Sequence, residues 1–191
     1  MDDREPATML TGKLVALGPL RRDLVPLYQR WMNDFGTQRT LGGLPRPRTA
    51  EEHHALYEQG TAARDGAQFT IYERATGRPI GIAELQEIDG RHRRATFVIV
   101  IGEAALRGRG YGTETTRLML DYAFTALGLR NVMLTATASN AAGLRAYTRA
   151  GFREFGRRHQ CYFLGGRWWD EVYMEALASE VAGQQPGVTP D

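Results

Sequence analysis

Three glycines alternate with larger residues in the stretch Arg107-Gly-Arg-Gly-Tyr-Gly112, and this stretch constrains the fold more strongly than the rest of the chain. The apolar residues 98–101 before it are typical of a buried strand, and a helical pattern begins at Thr113. Glycine allows the main chain to approach a ligand closely, with several N–H groups pointing one way. The first turn of the helix adds free N–H groups and the positive end of its dipole. The stretch therefore predicts a strand–turn–helix unit that holds a pyrophosphate group beside the charges of Arg107 and Arg109.

This stretch differs from the two common phosphate-binding motifs. A P-loop ends in Gly-Lys-Ser or Gly-Lys-Thr, and no such triplet follows Gly112. The dinucleotide fingerprint has a longer gap before its third glycine, whereas a single residue separates Gly110 from Gly112. The glycines taken alone would also fit a turn that binds no ligand, so the assignment depends on the residues that follow.

Composition restricts the protein to a few broad classes. The 191 residues are 42% hydrophobic and 24% charged, which is ordinary for a globular domain. A net charge of +2 is too balanced for a nucleic-acid binder, and no apolar run approaches the length of a membrane span. The N-terminus has no apolar signal segment, and a single cysteine, Cys161, excludes an internal disulfide. We therefore expect a cytoplasmic protein with no nucleic-acid partner and no membrane partner.

The same inventory argues against a metal site. One cysteine cannot form a cysteine-based site, and the adjacent His53 and His54, like His159, have no partner at a ligand-like spacing. We therefore predict a site without a metal ion.

Strand and helix patterns are mixed along the chain. We expect an N-terminal tail over residues 1–9, one domain over 10–176 and a flexible C-terminal tail over 177–191. The predicted strands cover residues 13–17, 68–73, 79–88, 95–101 and 132–137, with two or three more ending near Met174. The predicted helices begin near Arg22 or cover residues 50–60, 113–126 and 140–150. The pattern is that of an α/β mixture in which strands outnumber helices.

A second feature follows the strand predicted at residues 132–137. Asn140 is a favourable N-cap for the next helix, and Tyr147 lies about two turns further on, near the C-terminal end of that helix. A phenol in that place could donate a proton to a leaving group bound at the edge of the sheet. A tyrosine in the core is the alternative, and it would be preferred if Tyr147 stood alone.

Taken in order, these features resemble the GCN5-related N-acetyltransferases, the GNAT superfamily. The resemblance runs from Arg107-x-x-Gly110-x-Gly112 through Asn140 and Tyr147 to Gly151-Phe152. It covers about residues 10–176, nearly all of the predicted domain.

The branch of this superfamily and the fold follow from the same resemblance. Residues 81–88 and 92–97 are most similar to bacterial spermidine N-acetyltransferases, and residues 165–170 resemble the branch that includes the ribosomal-protein alanine N-acetyltransferases. The implied fold is α/β (α+β), with a central mixed, twisted sheet of about seven strands and about four flanking helices. It also has a splay between the two central parallel strands.

The resemblance implies that acetyl-CoA binds in this splay as a co-substrate. The last residues of the strand that ends at Ile101 would pair with the pantetheine arm through their main chain, and the amides of residues 107–113 would hold the pyrophosphate. The implied cofactor-binding residues are Val100, Ile101, Gly102, Arg107, Gly108, Arg109, Gly110, Tyr111, Gly112, Thr113 and Asn140.

The implied reaction is an N-acetylation in a ternary complex. A neutral primary amine would attack the thioester directly, and Tyr147 would act as the general acid that protonates the departing thiolate. A catalytically silent CoA-binding or scaffolding domain with the same fold is the alternative of a different class. A homodimer or larger homo-oligomer is expected by analogy alone.

A general base is less clearly indicated. Alternation along the strand puts Ile82, Glu84 and Gln86 on one face, and Glu84 is the first candidate. An exposed carboxylate, paired with an arginine, explains Glu84 equally well. Glu87 and His92 are weaker candidates because both are expected in or near a loop.

The acceptor amine stays open at this point. A polyamine, a protein N-terminus and an amino-bearing antibiotic or metabolite all fit the reaction. Leu41-Gly-Gly43 stands where a polyamine enzyme is expected to gather acidic residues around its polycation. The only acidic residues nearby in the sequence are Asp34, Glu51, Glu52 and Glu58, and Arg39, Arg46 and Arg48 dilute their charge, so this segment argues against a polyamine.

Overall fold

The computed structural model of the protein describes residues 7–42 and 45–181. The strands are β1 (Leu10–Thr11), β2 (Val15–Pro19), β3 (Ala67–Glu73), β4 (Pro79–Asp89), β5 (Arg94–Ile101), β6 (Asn131–Thr137), β7 (Arg153–Leu164) and β8 (Arg167–Leu177). The helices are α1 (Val25–Asn33), α2 (Phe35–Leu41), α3 (Ala50–Ala62), α4 (Tyr111–Asp121), α5 (Ala141–Ala150) and α6 (Ala178–Val181). Within these ranges, no helix is long and apolar enough to cross a membrane.

The strands form one mixed sheet in the order β1-β2-β3-β4-β5-β6-β8-β7. Neighbouring strands are antiparallel except β5 and β6, which are parallel. These two pair only at residues 94–96 of β5 and 131–133 of β6, although the strands continue to Ile101 and Thr137. The predicted splay is therefore confirmed. The described sheet has eight strands rather than about seven, and the two-residue β1 is the shortest of them.

Alternation along β4 divides its side chains between two layers. Ala83 and Leu85 are buried in the main core, which α4 covers. Ile82 points to the other face and packs against a smaller cluster that includes Tyr28 and Trp31 of α1. The sheet is therefore covered on both faces, and β4 contributes to both.

Local side-chain chemistry explains where α2 and α3 begin. The predicted capping box of α3 is present: Thr49 Oγ1 accepts the N–H of Glu52 at 3.2 Å, and the Glu52 carboxylate accepts the N–H of Thr49. Sequence reasoning misses α2 because its seven residues have no apolar periodicity. Asp34 fixes its start by accepting the N–H of Thr37 at 2.7 Å. With α2 and α6, the described α-helices number six rather than about four.

The folded region extends beyond the domain end expected at residue 176. β8 continues to Leu177, and α6 ends at Val181, whose side chain is buried in the main core beside Gly151. A four-residue segment carries too little pattern to predict this contact. Residues 1–6 and 182–191 of the expected tails, and Gly43, lie outside the described residues.

The carboxylate of Glu114 links β2 to the first turn of α4. It accepts the main-chain N–H groups of Lys13 at 2.9 Å, Leu14 at 2.6 Å and Val15 at 2.8 Å. Because Glu114→Ala leaves all three donors without this partner, we expect the free energy of unfolding to fall by about 2–3 kcal/mol. Urea denaturation measures the change. Glu114→Gln keeps one carbonyl oxygen and should lose less, and equal stability of wild type and Glu114→Ala would contradict this role.

Candidate active site

A cavity of about 280 Å³ lies at the separated end of β5. Its walls come from β5, the glycine-rich turn with the start of α4, the helix α5 and the helix α2. Most of the predicted cofactor-binding residues line it: Val100, Ile101, Arg107, Gly108, Gly110, Gly112, Thr113 and Asn140. The presumed acid Tyr147 lines it as well, whereas Gly102, Arg109 and Tyr111 do not. The structure therefore brings three separate sequence motifs together around one cavity.

The glycine-rich turn has the backbone of an anion site. Gly108 and Gly110 have φ angles of 78° and 94°, in the left-handed region that glycine favours. Apart from Gly108 and its two neighbours in the chain, no atom of the described residues lies within 4 Å of the point where a side chain at this position would start. The N–H of Glu114 donates to the carbonyl of Gly110 at 3.0 Å, so the N–H groups of residues 111–113 precede the first helical hydrogen bond of α4. An open turn with free N–H groups at a helix start suits an anion such as pyrophosphate.

Arg107 joins two walls of the cavity. Its main-chain N–H donates to the carbonyl of Ala104 at 3.2 Å, so this amide is occupied, contrary to the expectation that it holds pyrophosphate. Its guanidinium donates to the carbonyl of Ile101 at 3.0 Å and to Thr37 Oγ1 at 2.8 Å. Asp34 lies 3.7 Å from the guanidinium, and hydrogen bonds from Thr37 lower the pKa of Asp34. Arg107 therefore ties the end of β5 to α2.

Neighbouring carbonyl groups at the end of β5 face opposite ways. The carbonyl of Ile101 faces the gap, where it accepts from Arg107. The carbonyl of Val100 faces β4, and a side chain at Gly81 would overlap it. The edge of β5 that could pair with an extended ligand is therefore the one that carries the Ile101 carbonyl.

Gly102 is turned away from the cavity. Its N–H donates to the carbonyl of Ile80 at 2.9 Å. A side chain at this position would overlap the indole ring of Trp31, which is buried in the α1 cluster. The missing side chain at Gly102 thus serves the packing of α1, in place of the cofactor contact that the sequence leads us to expect.

The side chains of Arg109 and Tyr111 also lie outside the cavity lining. The Tyr111 hydroxyl donates to Glu73 Oε1 at 2.5 Å, and this hydrogen bond raises the pKa of Tyr111. Arg109 is exposed to solvent. Both residues therefore contribute main chain to the glycine-rich turn rather than a side chain to the cavity.

Asn140 and Tyr147 reach the cavity from the two ends of α5. Asn140 Oδ1 caps the helix by accepting the N–H of Gly143 at 2.9 Å. A side chain at Gly143 would start 2.5 Å from the Asn140 amide, so glycine makes room for this cap. The Tyr147 ring packs edge-on against Phe152, with the ring centroids 6.3 Å apart. Burial raises the pKa of Tyr147 to about 12, so its hydroxyl is protonated at neutral pH and can act as a proton donor.

A second cavity, of about 470 Å³, lies on the side of the sheet that α1 and α3 cover. Val100 lines both cavities, so the two are adjacent at the end of β5. Ile82, Glu84 and Gln86 line the second cavity, as strand alternation predicts, and Leu85 and Glu87 of the same strand line it as well. Gln86 Nε2 donates to Glu84 Oε2 at 2.6 Å, so this carboxylate pairs with an amide rather than with the arginine considered above.

The second cavity is acidic. Three acidic residues, Asp65, Glu84 and Glu87, are among its lining residues, against one arginine, Arg48. His53 lines it too, and burial lowers the pKa of His53, so this side chain is neutral near pH 7. The electrostatic field of the cavity therefore favours a cation.

The acidic residues that lie near Leu41-Gly-Gly43 in the sequence do not line this cavity. They are Asp34, Glu51, Glu52 and Glu58. Glu52 pairs with Arg46 at 2.9 Å, and Glu58 pairs with Arg22 at 2.7 Å. These carboxylates are close to the site in the sequence but are directed to other partners in the fold.

The structure separates the weaker base candidates. Glu87 lines the second cavity, and its carboxylate accepts a long hydrogen bond from Thr96 at 3.4 Å. His92 lies after β4, where its Nδ1 is 2.6 Å from Asp89 Oδ2. Glu84 and Glu87 therefore line the second cavity, and His92 does not.

Sequence reasoning misses two contributions to these cavities. Thr37 and Thr40 bring α2 to the first cavity, and Asp34 is the signal that could have found this helix, since aspartate is a frequent N-cap. His53 and Asp65 bring α3 and the loop after it to the second cavity. No local pattern marks these two residues, because the cavity forms only where α3 packs over the sheet.

The chain is similar to known acetyltransferases in sequence and in fold. The profile of the Acetyltransferase (GNAT) domain matches residues 15–153. The spermidine N(1)-acetyltransferase of Escherichia coli K12 is 29% identical over 166 residues, 87% of this chain and 87% of the relative. That of Vibrio cholerae serotype O1 is 34% identical over 130 residues, 68% of this chain and 74% of the relative. The crystal structure of spermidine N-acetyltransferase from Vibrio cholerae in complex with CoA and spermine has a TM-score of 0.81 and 26% identity, covering 90% of this chain and 99% of that chain.

Proposed function

The chain belongs to the GNAT family and is an acetyl-CoA-dependent N-acetyltransferase, and we propose that its acceptor is a primary amine of a polyamine. The observation that carries this proposal is the acidic second cavity, which shares the lining residue Val100 with the first cavity. The carboxylates of Asp65, Glu84 and Glu87 favour a cationic acceptor, and the apolar walls suit the methylene segments of a linear amine. The relatives from Escherichia coli and Vibrio cholerae are spermidine acetyltransferases, which supports the same acceptor class.

We assign acetyl-CoA to the first cavity. The free N–H groups of residues 111–113 and the open turn at Gly108 fit its pyrophosphate. The edge of β5 beyond residue 96 has no pairing with β6, so the main chain near Ile101 fits the pantetheine arm. Asn140 and Val100 line the same cavity and complete the assignment. When bound, acetyl-CoA supplies the thioester that the amine attacks.

Two side chains are assigned to proton transfer. Glu84 accepts the proton that an ammonium must lose before attack, directly or through a chain of water molecules. Tyr147, which burial keeps protonated, donates a proton to the thiolate that leaves when the tetrahedral intermediate collapses. The two residues line different cavities, which share the lining residue Val100. This arrangement suits an attack from the acceptor side and departure on the cofactor side.

A thiol-release assay with a panel of amines tests the acceptor class. Wild-type protein is incubated with acetyl-CoA and, in separate reactions, with spermidine, spermine, a peptide with a free N-terminus and an aminoglycoside. Turnover of spermidine or spermine is the expected result. Turnover of the peptide or the aminoglycoside alone would overturn the polyamine assignment and leave the acetyltransferase assignment intact.

Glu84→Gln is expected to lower kcat/KM for spermidine by about tenfold or more, because it removes both the proposed base and a negative charge from the acceptor cavity. Glu58→Gln is the matched control, since Glu58 pairs with Arg22 on the surface and does not line the cavity. The pH profile separates the two roles of Glu84. Loss of the base matters less at high pH, where the amine is already neutral. Equal kcat/KM for wild type and Glu84→Gln would exclude Glu84 both as the base and as a charge that binds the acceptor.

A further inference from the structure

The first cavity carries positive charge that the assignments above do not use. Its described lining residues include three arginines, Arg107, Arg145 and Arg149, and no aspartate or glutamate. Arg107 is already tied to the carbonyl of Ile101 and to α2. Arg145 and Arg149 are exposed, and neither forms an ion pair within residues 7–42 and 45–181. Two cationic side chains therefore line this cavity with no anionic partner in the described chain.

The spacing of these two arginines is unfavourable in the absence of an anion. They lie four residues apart on α5, which is one turn, and like charges at this spacing destabilise a helix. Arg149 is in the last turn of α5, where the helix dipole favours a cation. Arg145 lies a turn earlier and lacks this compensation. An anion that contacts both guanidinium groups would remove their repulsion, so the pair points to an anionic ligand rather than to the stability of α5.

Arg145 and Arg149 lie on the solvent side of the cavity. Tyr147 is two residues from each of them, and a helix turns by about 200° over two residues, so its side chain points to nearly the opposite side of α5. Tyr147 packs against the main core, whereas both arginines are exposed. Because Tyr147 is assigned to the departing thiolate, the arginines lie on the side of the cavity away from the reacting end of acetyl-CoA.

A hydrogen bond between α4 and α5 places Arg149 near the glycine-rich turn. The Arg117 guanidinium of α4 donates to the carbonyl of Arg149 at 2.7 Å. Arg117 follows Thr113 by four residues, about one turn of α4, and the N–H of Thr113 is among those assigned to pyrophosphate. Thr113, Arg145 and Arg149 also line the same cavity. A phosphate held by the two arginines would therefore be a neighbour of the pyrophosphate.

We propose that Arg145 and Arg149 bind the 3′-phosphate of CoA and make the protein prefer CoA to 3′-dephospho-CoA. CoA has two separate anionic groups, its pyrophosphate and the phosphate on its ribose, and the glycine-rich turn accounts for the first. A phosphate monoester carries a charge of about −1.5 to −2 at pH 7, which two guanidinium groups match with charge-assisted hydrogen bonds. The inference rests on the assignment of acetyl-CoA to the first cavity and is independent of the acceptor amine.

Calorimetric titration with CoA and with 3′-dephospho-CoA tests this assignment. The two ligands differ only in the ribose phosphate, so the ratio of their dissociation constants reports on its contacts. Wild type is expected to bind CoA about tenfold or more tightly than 3′-dephospho-CoA. In the double variant Arg145→Gln with Arg149→Gln, the affinity for CoA should fall to that for 3′-dephospho-CoA, which should itself change little. Glutamine removes the charge and keeps a similar helix propensity.

Two further variants separate this contact from other effects. Arg91→Gln removes a positive charge from an exposed position before β5, at the end opposite Ile101 and outside both cavities, so both affinities should stay unchanged. Gly112→Ala adds a methyl group beside the assigned pyrophosphate site, so it should lower both affinities and keep their ratio.

The ratio of the two dissociation constants decides the outcome. Equal affinities of wild type for CoA and 3′-dephospho-CoA would overturn the inference. A double variant that loses affinity for both ligands equally would also overturn it, because the arginines would then act on a group that both ligands share. If Gly112→Ala changes neither affinity, the assignment of the cofactor to the first cavity fails, and the inference fails with it.

Discussion

Replacing Tyr147 with phenylalanine is expected to lower kcat by about tenfold or more and to leave the affinity for CoA unchanged. The substitution removes one hydroxyl group, which is the group assigned to protonate the departing thiolate. The aromatic ring still packs against Phe152, so α5 and the cavity should keep their shape. Thiol release at saturating concentrations of both substrates measures kcat, and calorimetry with CoA measures the affinity.

The raised pKa of Tyr147 determines how ionisation of this residue should affect kcat as the pH changes. With a pKa of about 12, the hydroxyl stays protonated well above neutral pH, so ionisation of Tyr147 should not lower wild-type kcat between about pH 6 and 9. Tyr122→Phe is the control, because Tyr122 packs against Phe69 in the core and lines neither cavity. Equal kcat for wild type and Tyr147→Phe would exclude Tyr147 as the general acid.

The parts of the site that the sequence predicts are encoded within short segments. The left-handed backbone of Gly108 and Gly110 and the cap at Asn140 depend on neighbours in the chain, and patterns of a few residues indicate them. Alternation along one strand likewise puts Glu84 on the face that lines the second cavity. The splay is different, because β5 and β6 pair over only three residues and no hydrophobic pattern reports where pairing stops. It followed from the family resemblance alone.

The acceptor side could not be predicted because it depends on contacts between distant segments. Glu52 is near the expected acidic stretch, yet it is committed to Arg46 and to the cap of α3. Asp65 and His53 reach the cavity only because α3 lies over the sheet. Charge counted along the chain therefore underestimates the acidity of this site, whereas charge counted around the cavity supports a polycationic acceptor.

Gly102→Ala is expected to destabilise the fold rather than to block the cofactor directly. A methyl group at this position would overlap the ring of Trp31, which is 2% exposed. The ring is held in place, because its Nε1 donates to Glu103 Oε1 at 2.9 Å and it packs against Tyr28 with the centroids 5.9 Å apart. Overpacking of this kind lowers the free energy of unfolding by about 1–3 kcal/mol, which urea denaturation measures.

Gly112→Ala is the matched control and carries the opposite expectation. The nearest atom to a side chain at Gly112 is 3.8 Å away, and alanine favours the helix, so stability should be kept or raised. The added methyl group would enter the lining of the first cavity, so the affinity for CoA should fall.

If Gly102 instead contacts the cofactor, Gly102→Ala would lower that affinity without a change in stability. Combining Gly102→Ala with Trp31→Leu decides between these causes: relief of a clash makes the combined loss of stability smaller than the sum of the single losses, and an additive result would contradict the packing role.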